Sequence, residues 1–403
     1  MTPEQHPRAC KRCRHLLDRP QGVRPGDRRY GDVVPGDDAL LFAERLLALL
    51  DATRYSATYK LATLLALIDV AAEQTAPDGS VAETLSAKQV GRRVIELYWP
   101  QTVPYGVAAS GEPAVLSQAA QNDIPSKLAA WRTAHRLGAG ASLEEARAVD
   151  PDGWAALEAD LVAIVIGMPL AKLQRFGEGR RSAEDRFIYT FPWREEVGRS
   201  AVARPGFDDR LYLRPNVGAW LVRLAPLIRP LVQAKWASRV AARNAELVDA
   251  ERLDEFLFGA QRVSLTRVRG PLAEAQDRDC FYCAGRLTGS WDVDHFLPWS
   301  RHPDNTLDNL VAAHAPCNNA KSASLAGLGH LRRWVTRFGD TPASARIQEV
   351  SVATAWPRRP DRVLSTARAT YLWLPEGTRL WRETSAYDPL DPAEVRSVFD
   401  AVA

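Results

Sequence analysis

From Cys280 to Lys321 the chain reads CFYCAGRLTGSWDVDHFLPWSRHPDNTLDNLVAAHAPCNNAK. This stretch begins with a Cys-x-x-Cys pair, Cys280 and Cys283, and near its end carries a His-x-x-Cys pair, His314 and Cys317. Two short knuckles of this kind are typical of a tetrahedral structural zinc site, which would pin two loops together. The sequence therefore predicts Zn²⁺ at these four residues, against the alternative of buried free thiols beside an unrelated histidine.

Three further residue types in the same stretch suit the hydrolysis of a phosphodiester. Asp294 and His295 are adjacent, and Asn318 directly follows the second knuckle. The reaction needs a base for water, a divalent cation to offset charge and a framework that holds both. Imidazole titrates near neutral pH, and carboxylate and amide oxygens are suited to Mg²⁺ or Mn²⁺. The pattern favours a metal-dependent hydrolase, although Asp294 and His295 alone could be a surface pair.

The order of the motifs resembles the HNH (ββα-metal) endonuclease family, in particular bacterial HNH restriction and defence nucleases and the HNH domain of CRISPR effector nucleases. The shared pattern is Cys-x-x-Cys, Asp-His followed by Pro and Ser, Asp-Asn-Leu, and Cys-Asn-x-x-Lys. The resemblance implies that His295 is the general base and that Asp294 and Asn318 hold a catalytic Mg²⁺ or Mn²⁺. It further implies that Asn309 braces the loop that carries His295, and that Lys321 contacts the phosphate or the groups behind the cation ligands.

The chain departs from the family pattern at two positions. Many members have histidine where this chain has Asn318, which changes the ligand without denying activity. His314 stands where cysteine is commoner. Asn319 is an alternative ligand to Asn318, Lys321 could be an ordinary helix-surface residue, and His302, in a loop rich in Pro and Asp, is expected to be solvated.

The resemblance also gives the expected local structure of this stretch. Val293 to Leu297 should form the first strand of a hairpin, and Asn309 to Ala312 should lead into the second. Cys317 to Ala323 should open a helix with Asn318 near its N-terminus, close to the cation. Arg269 to Gln276 should form a helix that packs on the hairpin.

Outward from this stretch, apolar residues recur at helical spacing. The sequence predicts an α+β fold: a basic flexible arm (1–37), a mainly α-helical domain (38–250), a zinc-pinned HNH domain (251–340) and a C-terminal extension with short strands (341–403). Pro226 and Pro230 should kink or split a long helix over 216–244. Helices are predicted at 40–50, 57–73, 86–99, 124–136, 143–149, 154–176, 253–258 and 328–338, and strands at 187–191, 210–213, 347–352 and 370–374.

Composition is that of a soluble globular protein, and a cytoplasmic location is expected. The apolar stretches Leu61 to Ala72 and Leu161 to Met168 are shorter than the ~20 residues of a membrane-spanning helix, so no membrane is expected. An odd number of cysteines, 5, argues against a disulfide framework. Cys10 and Cys13 lack a second knuckle and are interpreted as exposed thiols in the arm, unless a partner chain completes a site.

The expected partner is DNA, although a net charge of +3 is too small to indicate one by itself. Arg332, Arg333 and Arg337, directly after the motif, are the candidates for phosphate contact. Cutting both strands favours a homodimer, and an activating partner protein is a second option. The leading hypothesis is a bacterial DNA endonuclease in restriction or phage defence. The alternatives are a catalytically silent zinc-containing nucleic-acid binding protein, an RNA-directed nuclease, and a toxin with an immunity partner.

Overall fold

A computed structural model describes residues 36–52, 58–107, 113–119, 123–176, 183–194, 197–246, 250–259, 264–339 and 341–402. The basic arm with Cys10 and Cys13 lies outside these residues. Val34–Ala403 form one compact unit, and the boundaries at 250 and 340 stay predictions.

The N-terminal part is mainly helical, as expected from its apolar periodicity. Short strands interrupt the helices, and β1, β7 and β6 form an antiparallel sheet in that order. Strands form within both segments predicted at 187–191 and 210–213, and they pair with each other, with Tyr189 opposite Leu213. The elements are α1 (Gly36–Ala52), α2 (Tyr59–Glu73), β1 (Thr84–Ser86), α3 (Ala87–Tyr98), β2 (Gly106–Val107), β3 (Pro113–Ala114), α4 (Asp123–Ala134), α5 (Leu143–Ala148), α6 (Pro151–Val165), β4 (Arg175–Phe176), β5 (Ala183–Glu184), β6 (Tyr189–Thr190), α7 (Arg199–Val202), β7 (Arg210–Leu213), α8 (Val217–Arg243) and α9 (Ala250–Phe258).

Helix α2 is the centre of this part. Every residue from Leu61 to Ala71 is buried, because the helix is apolar all round except for Thr63 and Asp69, which bond to the Tyr59 carbonyl and to Arg229 inside the protein. It packs against α3 and α8. Ser86 begins α3 by accepting a hydrogen bond from the Gln89 backbone at 3.1 Å, as its position before the helix predicts.

Helix α8 runs from Val217 to Arg243 without ending at either proline, so the segment forms one long helix and the split, one of the two expected outcomes, does not occur. Pro226 and Pro230 are exposed and lie on one face, four residues apart. The backbone bonds that they remove therefore lie on the solvent side, where water can replace them.

Helix α6 continues through one π-helical turn, Ile166–Leu170. Of the described residues, only Pro151–Leu170 is long and apolar enough to cross a membrane by length and composition, and 44% of it is buried inside the protein. Its polar side chains pair within the fold, since Glu158 binds Arg92 at 2.7 Å and Asp160 binds Lys127. In the structure it is therefore a helix of the helical core, packed against α3.

The C-terminal part has a hairpin, helices and a second hairpin. The strands expected at 347–352 and 370–374 are wrong, because residues 347–352 lie in helix α13 (Pro342–Thr354) and residues 370–374 form the end of helix α14 (Pro360–Leu372) and the turn after it. Thr341 caps α13, and its buried Ile347 and Val350 are spaced three apart, as a helix requires. The elements are α10 (Thr266–Ala275), β8 (Trp291–His295), β9 (Leu310–His314), α11 (Ala315–Lys321), α12 (Leu328–Val335), α13 (Pro342–Thr354), α14 (Pro360–Leu372), β10 (Arg379–Glu383), β11 (Ala386–Pro389) and α15 (Pro392–Asp400).

The C-terminal helix α14 packs against α2. Just before and within it, Arg359 pairs with Glu96 at 2.8 Å and Glu144 at 2.6 Å, and Arg362 pairs with Glu73 at 2.8 Å. The residues on both sides of the hairpin β8–β9 are thus joined in one core.

Candidate active site and metal cluster

The expected hairpin and helix form around the motif. Strands β8 and β9 are antiparallel, with Asp294 opposite Val311 and His295 opposite Leu310. Helix α11 follows β9 directly and packs on β8. The Gln276 side chain, just after α10, accepts from the Ala312 backbone N–H at 2.9 Å and donates to the Ala312 carbonyl at 2.9 Å. The hairpin is therefore fixed at its middle by the helix that precedes it.

Four possible metal ligands meet at one end of this hairpin. The ligand atoms of Cys280, Cys283, His314 and Cys317 all lie within 4.8 Å of one another. Zinc–sulfur bonds of about 2.3 Å in a tetrahedron separate two sulfurs by about 3.8 Å, so small movements would close the cluster on an ion. The donor set of three thiols and one imidazole fits zinc, and the structure has a possible metal site where the two knuckles predict one.

The histidine of the cluster is oriented for a ligand. His314 Nε2 is 2.9 Å from the Arg286 carbonyl oxygen, and Nδ1 is 3.3 Å from Cys283 Sγ. A carbonyl only accepts, so Nε2 carries the proton and Nδ1 presents its lone pair to the sulfurs. Burial and the neighbouring Cys280 and Cys283 raise the pKa of Cys317 to about 12. Cys317 would therefore become a thiolate only with a cation beside it to offset the charge.

The side chain of Asp294 is held by two buried donors. The Tyr282 hydroxyl donates to Asp294 Oδ2 at 2.5 Å, and Lys321 Nζ lies 3.0 Å from the same oxygen. Burial and the Asp294 charge raise the pKa of Tyr282, so the phenol stays protonated and donates. Asp294 Oδ1 is neither bonded to a described residue nor among the buried atoms without a partner. That oxygen is free to bind a cation.

The imidazole of His295 is oriented by a residue that the sequence did not indicate. His295 Nε2 lies 2.8 Å from Asn305 Oδ1. An amide oxygen only accepts, so Nε2 carries the proton and Nδ1 is the basic nitrogen. Burial lowers the pKa of His295, although Asn305 and Asp294 oppose this shift. The ring is therefore neutral at neutral pH, and its Nδ1 atom has no partner among the described residues.

Asn309 ties together the two ends of the loop after His295. Its Oδ1 accepts from the Leu297 backbone N–H at 2.8 Å, and its Nδ2 donates to the carbonyls of Leu297 and Asp304, each at 3.2 Å. Its own carbonyl accepts from the Phe296 N–H at 2.8 Å. Asn309 is fully buried, so these contacts are structural, and they fix the backbone directly after His295.

Helix α11 presents Asn318 and Lys321 one turn apart. Lys321 is fully buried, and its Nζ also donates to the His295 carbonyl at 2.9 Å. It is neither a surface residue nor placed to touch a phosphate, and it instead supports Asp294 and His295. Asn318 lies on the same side of the helix, and among the described residues its side-chain amide has no hydrogen-bond partner. Asn319 is exposed.

The three arginines after the motif are placed differently from one another. Arg337 is buried and donates to the carbonyls of Leu310 at 2.7 Å and Leu307 at 2.8 Å. It therefore braces the turn before β9, and the structure does not place it for the expected phosphate contact. Arg333 donates to the Phe281 carbonyl. Arg332 is exposed and lies 3.3 Å from Glu394.

His302 is another residue placed differently from expectation, because it is buried rather than solvated, with 3% of its surface exposed. The turn Pro298 to His302 folds it inward, and the Arg301 and His302 N–H groups both donate to the Pro298 carbonyl. Burial lowers the pKa of His302 to about 4. The loop after β8 thus has one side chain, Asn305, on His295 and another, His302, in the interior.

Sequence reasoning missed Tyr282, Asn305 and Trp299. Trp299 lies with its ring 5.2 Å from that of His295 and donates to the Phe258 carbonyl at 2.6 Å. Tyr282 is one of the two unspecified residues of the first knuckle, and Asn305 lies in a loop with no metal-ligand spacing. The sequence feature that could have indicated Tyr282 and Asn305 is that each is a polar side chain within a few residues of one of the motifs.

Residues 282–326 match the sequence model of a family described as HNH endonuclease. The matched segment contains β8, β9 and α11 with Asp294, His295 and Asn318. This match supports membership of the segment in the HNH endonuclease family and a nuclease activity that acts on nucleic acid with divalent metal. No curated protein and no solved structure gives a significant match to the chain.

Proposed function

We propose that this chain is a divalent-cation-dependent endonuclease that hydrolyses DNA phosphodiester bonds with His295 as the general base. The observation that carries the proposal is the fixed orientation of His295, whose Nε2–H is held by Asn305 at 2.8 Å and whose Nδ1 is unbonded. A neutral, oriented imidazole beside a carboxylate with one free oxygen is suited to removing a proton from water.

In this mechanism the protein's own groups do three things. His295 Nδ1 accepts a proton from the attacking water while Asn305 holds the opposite nitrogen. Asn309 fixes the backbone behind His295. Lys321 and Tyr282 hold Asp294 Oδ2, so that the other oxygen of the carboxylate keeps one direction.

The residues that would hold the catalytic cation are Asp294 and Asn318. Both offer an oxygen that has no partner among the described residues, which fits the preference of Mg²⁺ or Mn²⁺ for oxygen ligands and several waters. The cation would offset the charge that develops on the phosphate and on the leaving oxygen. Asn319 is exposed beside Asn318 and remains the alternative ligand.

We further propose that the cluster of Cys280, Cys283, His314 and Cys317 holds a structural Zn²⁺. Four protein ligands would fill the coordination of such an ion and leave no position for substrate. The ion would join the Cys280–Cys283 knuckle to the start of α11, and would therefore position Asn318, which directly follows Cys317.

The biological setting is proposed by analogy with HNH nucleases alone: a cytoplasmic enzyme of bacterial restriction or defence that acts on DNA. Arg332 and Arg333 would contact the phosphate backbone near α12. A homodimer would bring two active sites to the two strands, and an activating partner protein is the other arrangement. The second candidate function, a silent zinc-containing binding protein, has less support because Asp294, His295 and Asn318 are all present.

The deciding experiment incubates purified full chain with supercoiled plasmid and with a single-stranded RNA, in Mg²⁺, Mn²⁺ or EDTA. His295→Ala is the test variant, and His135→Ala, remote in sequence and partly buried after α4, is the matched control. The proposal expects cation-dependent nicking of DNA by wild type and His135→Ala only. DNA binding without cutting in either cation would favour the binding protein, and cutting of RNA alone would favour the RNA-directed nuclease.

A further inference from the structure

A narrow cleft lies between α2, α8, α14 and the turn after β8. The enclosed space is about 40 Å³, enough for a group of a few heavy atoms, and the empty volume reaches about 560 Å³ only when open solvent at the mouth is counted. The lining of the cleft includes apolar side chains, among them Ile68, Val222 and Leu374. It also includes four basic side chains, those of Arg223, Arg229, Arg301 and His302.

The floor of the cleft contains buried donors without an acceptor. Arg229 is 3% exposed, and its Nη2 pairs with Asp69. Its Nε and Nη1 atoms, and Nε2 of His302, are buried and have no hydrogen-bond partner. Buried polar groups are nearly always bonded, and those that are not need an explanation. A ligand that accepts hydrogen bonds would give these buried donors their missing partners.

The mouth of the cleft adds two more guanidinium groups. Within the described ranges, neither Arg223 nor Arg301 forms an ion pair or a side-chain hydrogen bond. Asp69 is the sole carboxylate among the lining residues that the structure describes, and it already contacts Arg229 and Arg93. Three arginines therefore line a cleft whose single lining acid is already paired, and the next carboxylate, Asp304, lies 3.8 Å from His302 Nε2.

We propose that this cleft binds a phosphate-bearing small molecule, with its phosphate on Arg223, Arg229 and Arg301 and its apolar part on the wall of α2 and α8. The guanidinium fork matches phosphate oxygens in pairs, which suits Arg to this role better than Lys. A phosphate also accepts from several donors at once, as the unpartnered atoms of Arg229 and His302 require.

The cleft is connected to the candidate active site by a single turn of chain. Arg301 and His302 line the cleft, and Asn305, three residues beyond His302, holds His295. A bound phosphate would hold this turn in place. An effect of bound phosphate on DNA cleavage would rest on the proposed function, whereas the binding of phosphate does not.

The test is calorimetric titration of the full chain with inorganic phosphate, with AMP, and with adenosine as the uncharged control. Arg301→Gln and Arg223→Gln are the test variants, because both lie at the mouth and leave the buried Arg229–Asp69 pair intact. Arg204→Gln, an exposed arginine that does not line the cleft, is the matched control. Each test variant should bind AMP about tenfold more weakly, as expected for the loss of one charge-assisted hydrogen bond, and Arg204→Gln should match wild type.

Three results would overturn the proposal. The first is no binding of phosphate or AMP at millimolar concentrations, and the second is equal binding by wild type and both test variants. The third is displacement of AMP by a short DNA duplex, because the DNA backbone would then be the source of the phosphate. None of these binding measurements depends on cleavage of nucleic acid. A failed nuclease assay would therefore not count against the proposed phosphate site.

Discussion

Replacement of Asn305 by alanine tests the orientation of the proposed base. The variant removes one neutral hydrogen bond of 2.8 Å to His295 Nε2 and leaves the ring packed near Trp299, at a centroid distance of 5.2 Å. A neutral hydrogen bond contributes about 0.5–1.5 kcal/mol net. If that energy is what favours the Nε2–H tautomer, its loss lowers the rate of cleavage between about 2-fold and about 13-fold.

The assay is single-turnover nicking of supercoiled plasmid in saturating Mg²⁺, with wild type, Asn305→Ala and His295→Ala side by side. His295→Ala should lose about 10²–10⁴-fold, because the base itself is gone. Thermal melting of each variant serves as the control for folding, since Asn305 is only partly buried. The expected order of rates is therefore wild type, then Asn305→Ala, then His295→Ala.

Two results would refute this reasoning. A rate for Asn305→Ala within twofold of wild type would show that the hydrogen bond does not set the working tautomer. A loss as large as that of His295→Ala, with unchanged melting, would give Asn305 a direct part in the chemistry rather than a positioning role.

Four further outcomes are expected. Cys283→Ser should lose the bound zinc that elemental analysis finds in wild type, and retention of the full zinc content would contradict the four-ligand cluster. Asn318→Ala should raise the Mg²⁺ concentration needed for half-maximal nicking while Asn319→Ala does not, and the reverse would exchange their roles. Lys321→Met should lower the free energy of unfolding by about 3–5 kcal/mol in urea titrations, since Asp294 would lose a buried partner; a change below about 1 kcal/mol would refute this. The pKa of His302, about 4 when folded against ~6.5 unfolded, makes the folded state bind fewer protons, so stability should fall by about 3 kcal/mol as pH drops from 7 to 4; His302→Gln should flatten this acid limb in the same titrations, and an equal slope in both proteins would count against it.

The local structure of the motif could be predicted because its chemistry dictates short-range geometry. Ligand spacing places Cys280 with Cys283 and His314 with Cys317, and the strands and the helix between and after these pairs begin and end within a few residues of expectation. Asn305 could not be predicted in the same way. Its contact with His295 depends on how the intervening turn closes, and no periodicity encodes that closure.

The direction in which a side chain points was the second property that the sequence did not predict. Arg337 follows the motif on a short basic segment, as a phosphate-binding residue would, yet it faces backbone carbonyls in the interior. His302 lies in a loop sequence rich in Pro and Asp, yet the loop folds under α8 and α14. Burial at these positions depends on elements that are distant in sequence, so a single amino-acid sequence does not predict it.

Residues 347–352 show how two local signals can conflict. Three of these six residues, Ile347, Val350 and Val352, are β-branched, which favours a strand. Thr341 and Pro342 before them form a helix start, with the Thr341 side chain accepting from the Ser344 N–H at 3.0 Å. The segment folds as a helix because the Thr341 cap and the three-residue spacing of Ile347 and Val350 both favour one. The helix-start residues Thr341 and Pro342 therefore indicated a helix where a strand was predicted.

The packing of α14 on α2 has a consequence for synthesis. The central helix of the N-terminal part is covered only when Pro360–Leu372 has been made, and Arg359 reaches back to Glu96 across most of the chain. Contacts between such distant segments form late and slowly. We expect the nascent chain to carry a complete Cys280–Lys321 segment before its supporting core exists. A chain that stops early would then leave the proposed nuclease unassembled, so that a producing cell is exposed only to finished molecules.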